Sequence, residues 1–205
     1  MRSSVTHKDY TTIDPATMAD DPAATAVSEG LVGVHTPESM ARIGAWRWQL
    51  VSHCATTIVK ALQGRYAIDF GGAAAPIGYG AIVVDRLTEH RTLDDVPADV
   101  AVIFTSHTLE HVVDLEFCLD GMYRKLAPGG LLIAHVPGCD SENLRAENFP
   151  HHAQTFCLAG SEEPRLPGWV ALDEAMAAAG FTLQYVSEGW GCLMVIGWKE
   201  NNGSV

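Results

Sequence analysis

Residues 66–85 read Tyr-Ala-Ile-Asp-Phe-Gly-Gly-Ala-Ala-Ala-Pro-Ile-Gly-Tyr-Gly-Ala-Ile-Val-Val-Asp. Two short apolar runs, 66–70 and 81–84, each close near an aspartate, and a glycine-rich link joins them. That pattern predicts a strand, a bare loop and a second strand. Parallel strands buried on both faces are written as near-continuous apolar runs, so the ionisable Asp69 inside the first run carries a desolvation cost that a bound partner would offset. Gly71 and Gly72 leave the backbone open to close approach at the strand's carboxyl end, the edge where open α/β sheets hold ligands. Asp85 ends the second run, where a carboxylate can accept both hydrogen bonds of a ribose diol. The same residues also fit a glycine-rich turn followed by a solvated aspartate. Pro76 argues against a long helix straight after the loop, and so against a phosphate on a helix N-terminus; a nucleoside without phosphates fits better.

Around this stretch, a chain of 205 residues suits one domain with a substantial core. Its composition, 47% apolar and 19% charged, is that of a soluble globular protein. The formal net charge of −12 argues against a nucleic-acid partner, which would call for clustered Lys and Arg, and favours a small or basic substrate. No apolar run approaches the roughly 18 residues of a membrane span, and no signal-peptide core opens the chain. The expectation is a cytoplasmic protein with no membrane partner, its oligomeric state open between monomer and homodimer. Cys54, Cys118, Cys139, Cys157 and Cys192 are odd in number, widely spaced and without a C-x-x-C pair, which reads as small core residues in a reducing compartment.

Residues 1–35, poor in large apolar groups, are expected to form a mobile N-terminal arm ahead of a single domain over 36–200. Thr36-Pro37 reads as a helix start, with Met40, Ile43, Val51, Cys54, Ile58 and Leu62 on one face and Gly64 as the stop. Residues 86–99 contain Asp94-Asp95-Val96-Pro97 and read as a loop with room for a very short strand. Asp94 or Asp95 is a candidate acceptor for an adenine amino group, or a solvated loop carboxylate. Residues 100–104, Val-Ala-Val-Ile-Phe, form a buried strand that runs directly into Thr105-Ser106-His107-Thr108-Leu109-Glu110-His111. Asp114 caps a helix with Leu115, Cys118, Leu119, Met122 and Leu126 inward; Pro128-Gly129-Gly130 stops it, and 131–136 is a further buried strand. Strand, helix and strand in this order make a right-handed βαβ unit.

Thr105 to Val112, then Tyr123-Arg124-Lys125-Leu126-Ala127-Pro128-Gly129-Gly130-Leu131-Leu132-Ile133 and Val136-Pro137, resemble the class I S-adenosylmethionine-dependent methyltransferases. The resemblance is to the branch in which Leu-Glu-His follows the fourth strand and Leu-x-Pro-Gly-Gly precedes the fifth. Asp69-Phe70-Gly71-Gly72 and Asp85 fall where that family has them, so the match covers roughly residues 65–137; Gly180-Phe181 is similar to the family's Gly-Phe before strand six. The loop itself, Gly-Gly-Ala-Ala-Ala-Pro, departs from the family's Gly-x-Gly-x-Gly.

The resemblance implies an α/β Rossmann-like three-layer sandwich with seven strands, the last antiparallel. Independently, the apolar runs 181–186 and 192–198, separated by Glu188-Gly189-Trp190-Gly191, read as an antiparallel pair, preceded by a helix near 169–179. The implied activity is methyl transfer from S-adenosylmethionine to a small-molecule acceptor, leaving S-adenosylhomocysteine. By resemblance Asp69, Gly71 and Gly72 would face the methionine moiety and Asp85 the ribose, with Arg86, Ser106 and His107 completing the cofactor-binding set. His111 is the first candidate for a general base and His107 the second, because imidazole changes protonation near neutral pH; ordering the loop is the alternative role for His111. Residues 138–168 are expected to form an irregular lid or substrate loop, in which His152 of Phe149-Pro150-His151-His152 is either a substrate contact or half of a solvated pair.

Two rival readings use the same residues. His107-Thr108-Leu109-Glu110-His111 matches the inverted zinc-hydrolase motif H-x-x-E-H, in which two histidines on one helix face share a metal, with Glu188 as an imaginable third ligand. The position at a strand end, before the helix begins, argues against it, and no metal is assigned. The other rival is a nucleoside-binding module of the same fold that has lost transfer activity, suggested by the short glycine loop.

Overall fold

A computed structural model describes residues 65–72, 77, 80–85, 88–142, 145–161, 166–189 and 191–201. The expected N-terminal arm, the helix opening at Thr36-Pro37, Ala73 to Pro76 of the glycine loop and Arg86 lie outside the described residues.

The apolar runs form the strands expected of them: β1 (Ala67–Phe70), β2 (Ile82–Val84), β3 (Val100–Ser106) and β4 (Leu126–Pro137). These four are parallel neighbours in a six-stranded sheet ordered β2-β1-β3-β4-β8-β7, where β7 is Thr182–Gly189 and β8 is Cys192–Trp198. β8 runs antiparallel between β4 and β7. The architecture is the Rossmann-like α/β sheet implied by the resemblance, with six strands among the described residues. In place of a seventh, the segment after β2 contributes the single bridging residue His90 opposite Val84, then a short 3-10 turn, Leu93–Asp95. Its Asp95 carboxylate accepts from the backbone N–H of Arg91 and Thr92 at 2.9 and 2.8 Å. These bonds hold the Asp95 carboxyl below its ordinary value, and they commit to the loop itself the oxygen that had been a candidate for adenine.

Helix α1 (Leu115–Lys125) follows from its sequence as expected. The Asp114 side chain accepts from Phe117 N–H at 3.0 Å, and Leu115, Leu119 and Met122 recur on the buried stripe. Arg124 and Lys125 stand at its negative end, Lys125 donating to the Val96 carbonyl. The segment expected as one helix from Trp169 divides: Trp169–Ala171 is β6 and Leu172–Ala178 is helix α2. Trp169 and Val170, a bulky aromatic and a β-branched residue, suit a strand, and β6 pairs in parallel with β5 (Thr155–Cys157). β5 thus gives regular structure to the stretch expected to be irregular over 138–168, and the bridge from Phe156 to Gly138 ties it to the end of β4.

Both helices pack on one face of the sheet, Leu115, Leu119, Met122, Leu172 and Met176 lying against Ile68, Ile103, Leu132, Val136 and Leu193. The opposite face is as apolar: Ala67, Val102, Phe104, Ile133 and Ile196 are buried there with Ile77. Towards the strands' carboxyl ends this second face turns polar, at Asp69, Ser106 and His135, all buried. No helix among the described residues is long and apolar enough to cross a membrane.

Candidate active site

The site is assembled at the carboxyl edge of the parallel strands. Asp69 is fully buried, and its Oδ2 accepts from the Ile77 N–H at 2.9 Å, so the carboxylate reaches across the glycine loop and fastens its far side. A Cβ on Gly72 would stand 2.2 Å from that carboxylate. At Gly71, with φ of +81°, a Cβ would stand 2.0 Å from Thr108 Oγ1. The chain's own Asp69 and Thr108 therefore occupy the positions a side chain would take at the two glycines. Gly71 N–H also donates to Val84 O at 2.8 Å, which prolongs the β1–β2 ladder by one step and sets Asp85 beside the turn. Asp85 is half-buried, its backbone pinned by Asp85 N–H to His90 O and Thr88 N–H to Asp85 O, both 2.9 Å. Asp69 and Asp85 thus stand at adjoining strand tips.

β3 ends abruptly at His107, whose φ of +51° is the left-handed region that a non-glycine residue seldom adopts. His107 N–H donates to His135 O at 2.9 Å. In register with Ser106 on β4 stands His135, and Ser106 Oγ and His135 Nδ1 share a hydrogen bond of 3.1 Å. The rings of His107 and His135 lie 5.1 Å apart. Cys192, opposite Pro137, completes the group: its Sγ is 3.6 Å from His107 Nε2. Burial, with Glu110 and Asp140 nearby, pushes the Cys192 thiol up to about 12, so it remains S–H.

A 3-10 turn, Leu109–His111, follows. Glu110 is 1% exposed. Its Oε1 lies 3.6 Å from His107 Nδ1 and 4.0 Å from His111 Nε2, while Oε2 is buried without a hydrogen-bond partner. Burial raises the Glu110 carboxyl to about 8. His111 is exposed; its Nδ1–H donates to the His151 carbonyl at 2.9 Å, which fixes the tautomer and leaves the Nε2 lone pair turned to Glu110. His152, buried rather than solvated, lies edge-on to His111 at 4.7 Å and against Phe149 at 4.4 Å. The segment carrying it is held to the turn by the Ala153 and Gln154 N–H groups, which donate to Glu110 O at 2.6 and 3.1 Å.

The H-x-x-E-H motif is taken apart by this backbone. A left-handed His107 followed by a 3-10 turn does not put two histidines on one α-helical face. The donor atoms of His107 group instead with His135 and Cys192, and those of His111 with Glu110 and His152, each trio lying within 4.8 Å of one another. His135 and Cys192 were missed from the sequence. His135 had a signal, a polar side chain in the apolar run 131–136; Cys192 had none, because only the antiparallel insertion of β8 carries a strand's first residue to this edge.

No protein-family model matches the sequence, and no curated protein matches it. Solved structures do match in shape. A structure of the complex between the Haloferax volcanii Trm112 methyltransferase activator and the putative methyltransferase aligns with 95% of this chain and 100% of its own, at 15% identity and a TM-score of 0.55. The CurJ carbon methyltransferase aligns with 93% of this chain and 62% of its own, at 12% identity and a TM-score of 0.50. With its sheet order, antiparallel β8 and these structural neighbours, the chain has the Rossmann-like fold of the class I methyltransferases.

Proposed function

We propose that the protein is an S-adenosylmethionine-dependent methyltransferase acting on a small-molecule acceptor. One observation carries the reading: the Gly71–Val84 hydrogen bond seats Asp85 beside a turn whose other side is braced by the buried Asp69. An adenosyl group fits this donor set, because a half-buried carboxylate at the tip of β2 accepts from two ribose hydroxyls. Asp69 serves by fixing the loop. Ser106, through its bond to His135, and His107 form the adjoining wall; Arg86 is assigned to the cofactor from its place in the sequence after Asp85 alone. The net charge of −12 supports a small acceptor over a nucleic acid.

When bound, the cofactor supplies an electrophilic methyl on a sulfonium. The chain's task is then alignment and exclusion of water, which can lower a barrier by several kcal/mol, on the order of 7 or more in favourable cases. An acceptor that arrives protonated also needs a base. His111 is first in line, with its Nδ1 held by the His151 carbonyl; His107 is second, since its Nε2 is engaged with Cys192 Sγ at 3.6 Å. The segment 138–168 would select the acceptor, with the buried His152 among its members.

Calorimetric titration with S-adenosylhomocysteine tests this. Asp85→Ala is expected to weaken binding by roughly 1–3 kcal/mol, the cost of unpaired hydroxyls. Unchanged affinity removes Asp85 from the site. No binding by the wild type at millimolar ligand refutes the enzyme, and binding without turnover on any acceptor panel leaves the nucleoside-binding module.

A further inference from the structure

The geometry points to a binding site for a zinc-type divalent cation at Glu110, His111 and His152, apart from the two aspartates assigned to the adenosyl group. Three observations converge on it. The donor atoms of these residues lie within 4.8 Å of one another. Glu110, 1% exposed, keeps its Oε2 buried with no hydrogen-bond partner, an unmet desolvation cost that a bound cation would offset. His111 Nδ1–H donates a hydrogen bond to the His151 carbonyl, and a carbonyl behind an imidazole is the support that metal-ligating histidines use to aim the other nitrogen.

The donor types select the ion. Two imidazoles and one carboxylate suit zinc and its first-row neighbours, whereas magnesium and calcium favour oxygen alone. Bonds of about 2.0–2.2 Å put tetrahedral ligand atoms roughly 3.3–3.5 Å apart. Glu110 Oε1 and His111 Nε2 stand 4.0 Å apart and the trio as a whole lies within 4.8 Å, so ligation requires the exposed His111 ring and its neighbours to close by up to about 1.5 Å. A cation here would clamp the segment bearing His152 to the turn after β3, reinforcing the bonds from Ala153 and Gln154 to Glu110 O. Three protein ligands leave a fourth position for water or an acceptor oxygen, the pattern of an open site. Cation and proton compete for the same His111 lone pair, so a bound metal replaces the base role of that residue. The second trio, His107, His135 and Cys192, carries no such claim, because the half-buried Cys192 is already hydrogen-bonded to His107.

The test uses the full chain, stripped with chelator and dialysed. Calorimetry with Zn2+ and visible absorption with Co2+ are run on the wild type, Glu110→Gln, His111→Gln and Cys192→Ser. Circular dichroism confirms that each variant is folded, and the exposed His111 gives a variant that does not disturb the core. Expected is one equivalent bound by the wild type and by Cys192→Ser. Glu110→Gln and His111→Gln should each lose more than the roughly 10–100-fold that removal of an outer supporting group costs. Absence of stoichiometric binding by the wild type overturns the site, as does undiminished binding by both Glu110→Gln and His111→Gln, or loss of binding in Cys192→Ser. S-adenosylhomocysteine titrated into the metal-free protein reads the methyltransferase proposal separately, so either can fail alone.

Discussion

Replacing Gly71 by alanine should destabilise the fold, and the structure separates the cost into two parts. At φ of +81° an L-residue is strained by about 1–2 kcal/mol. The new Cβ also arrives 2.0 Å from Thr108 Oγ1, 2.5 Å from its Cγ2 and 2.7 Å from its Cβ. Thr108 cannot yield freely, because its hydroxyl donates to Ser106 O at 3.2 Å, and overpacking of this kind costs about 1–3 kcal/mol. Gly71→Ala should therefore lose about 2–5 kcal/mol in urea unfolding read by circular dichroism. Thr108→Gly deletes all three clashing atoms but not the backbone strain. A double-mutant cycle should then show Gly71→Ala costing about 1–3 kcal/mol less in the Thr108→Gly background. A cost within about 0.5 kcal/mol for Gly71→Ala alone, or strict additivity in the cycle, would refute the view that Thr108 is what makes glycine obligatory here.

Two further outcomes follow from the ionisable groups. With its thiol pushed up to about 12, Cys192 should resist iodoacetamide at pH 8 in the native protein, as read by mass spectrometry of peptides; rapid labelling would contradict the raised thiol and its contact with His107. Glu110 has a carboxyl raised from an ordinary 4.5 to about 8, so between these values the folded metal-free protein holds a proton that the unfolded chain releases. Its contribution to stability is complete below about pH 4.5 and is lost as pH rises towards 8; Glu110→Gln should remove that decline, and parallel pH–stability curves for the two proteins would count against the assignment.

Local pattern was enough for much of the fold. The apolar runs predicted β1, β2, β3 and β8 within a few residues, and Asp114 with the Leu115, Leu119 and Met122 stripe predicted α1; β4 was expected from Leu131 but opens at Leu126, so Leu126 and Pro128-Gly129-Gly130 belong to the strand and not to the helix end. These signals are local: capping and side-chain periodicity act over a single turn or pleat. The run beginning at Trp169 misled because its first three residues pair with Thr155–Cys157, a partner that periodicity does not reveal.

The candidate site divides along the same line. Asp69, Gly71, Gly72, Asp85, Ser106, His107 and His111 were all legible as polar or bare positions at the ends of apolar runs, and with them the edge of the sheet where chemistry would sit. What each does was decided by atoms distant in the chain. Thr108 fills the space at Gly71, Ile77 claims Asp69, His135 meets Ser106 across two strands, and β8 returns Cys192 to His107. The sequence alone determined the strands of the six-stranded sheet and which residues stand at their tips, because apolar periodicity and turn chemistry are written in neighbouring positions. Only the tertiary structure decided that H-x-x-E-H separates into two trios and that His152 joins Glu110 and His111, because hydrogen bonds and donor clusters depend on distances in space that spacing along a chain does not set.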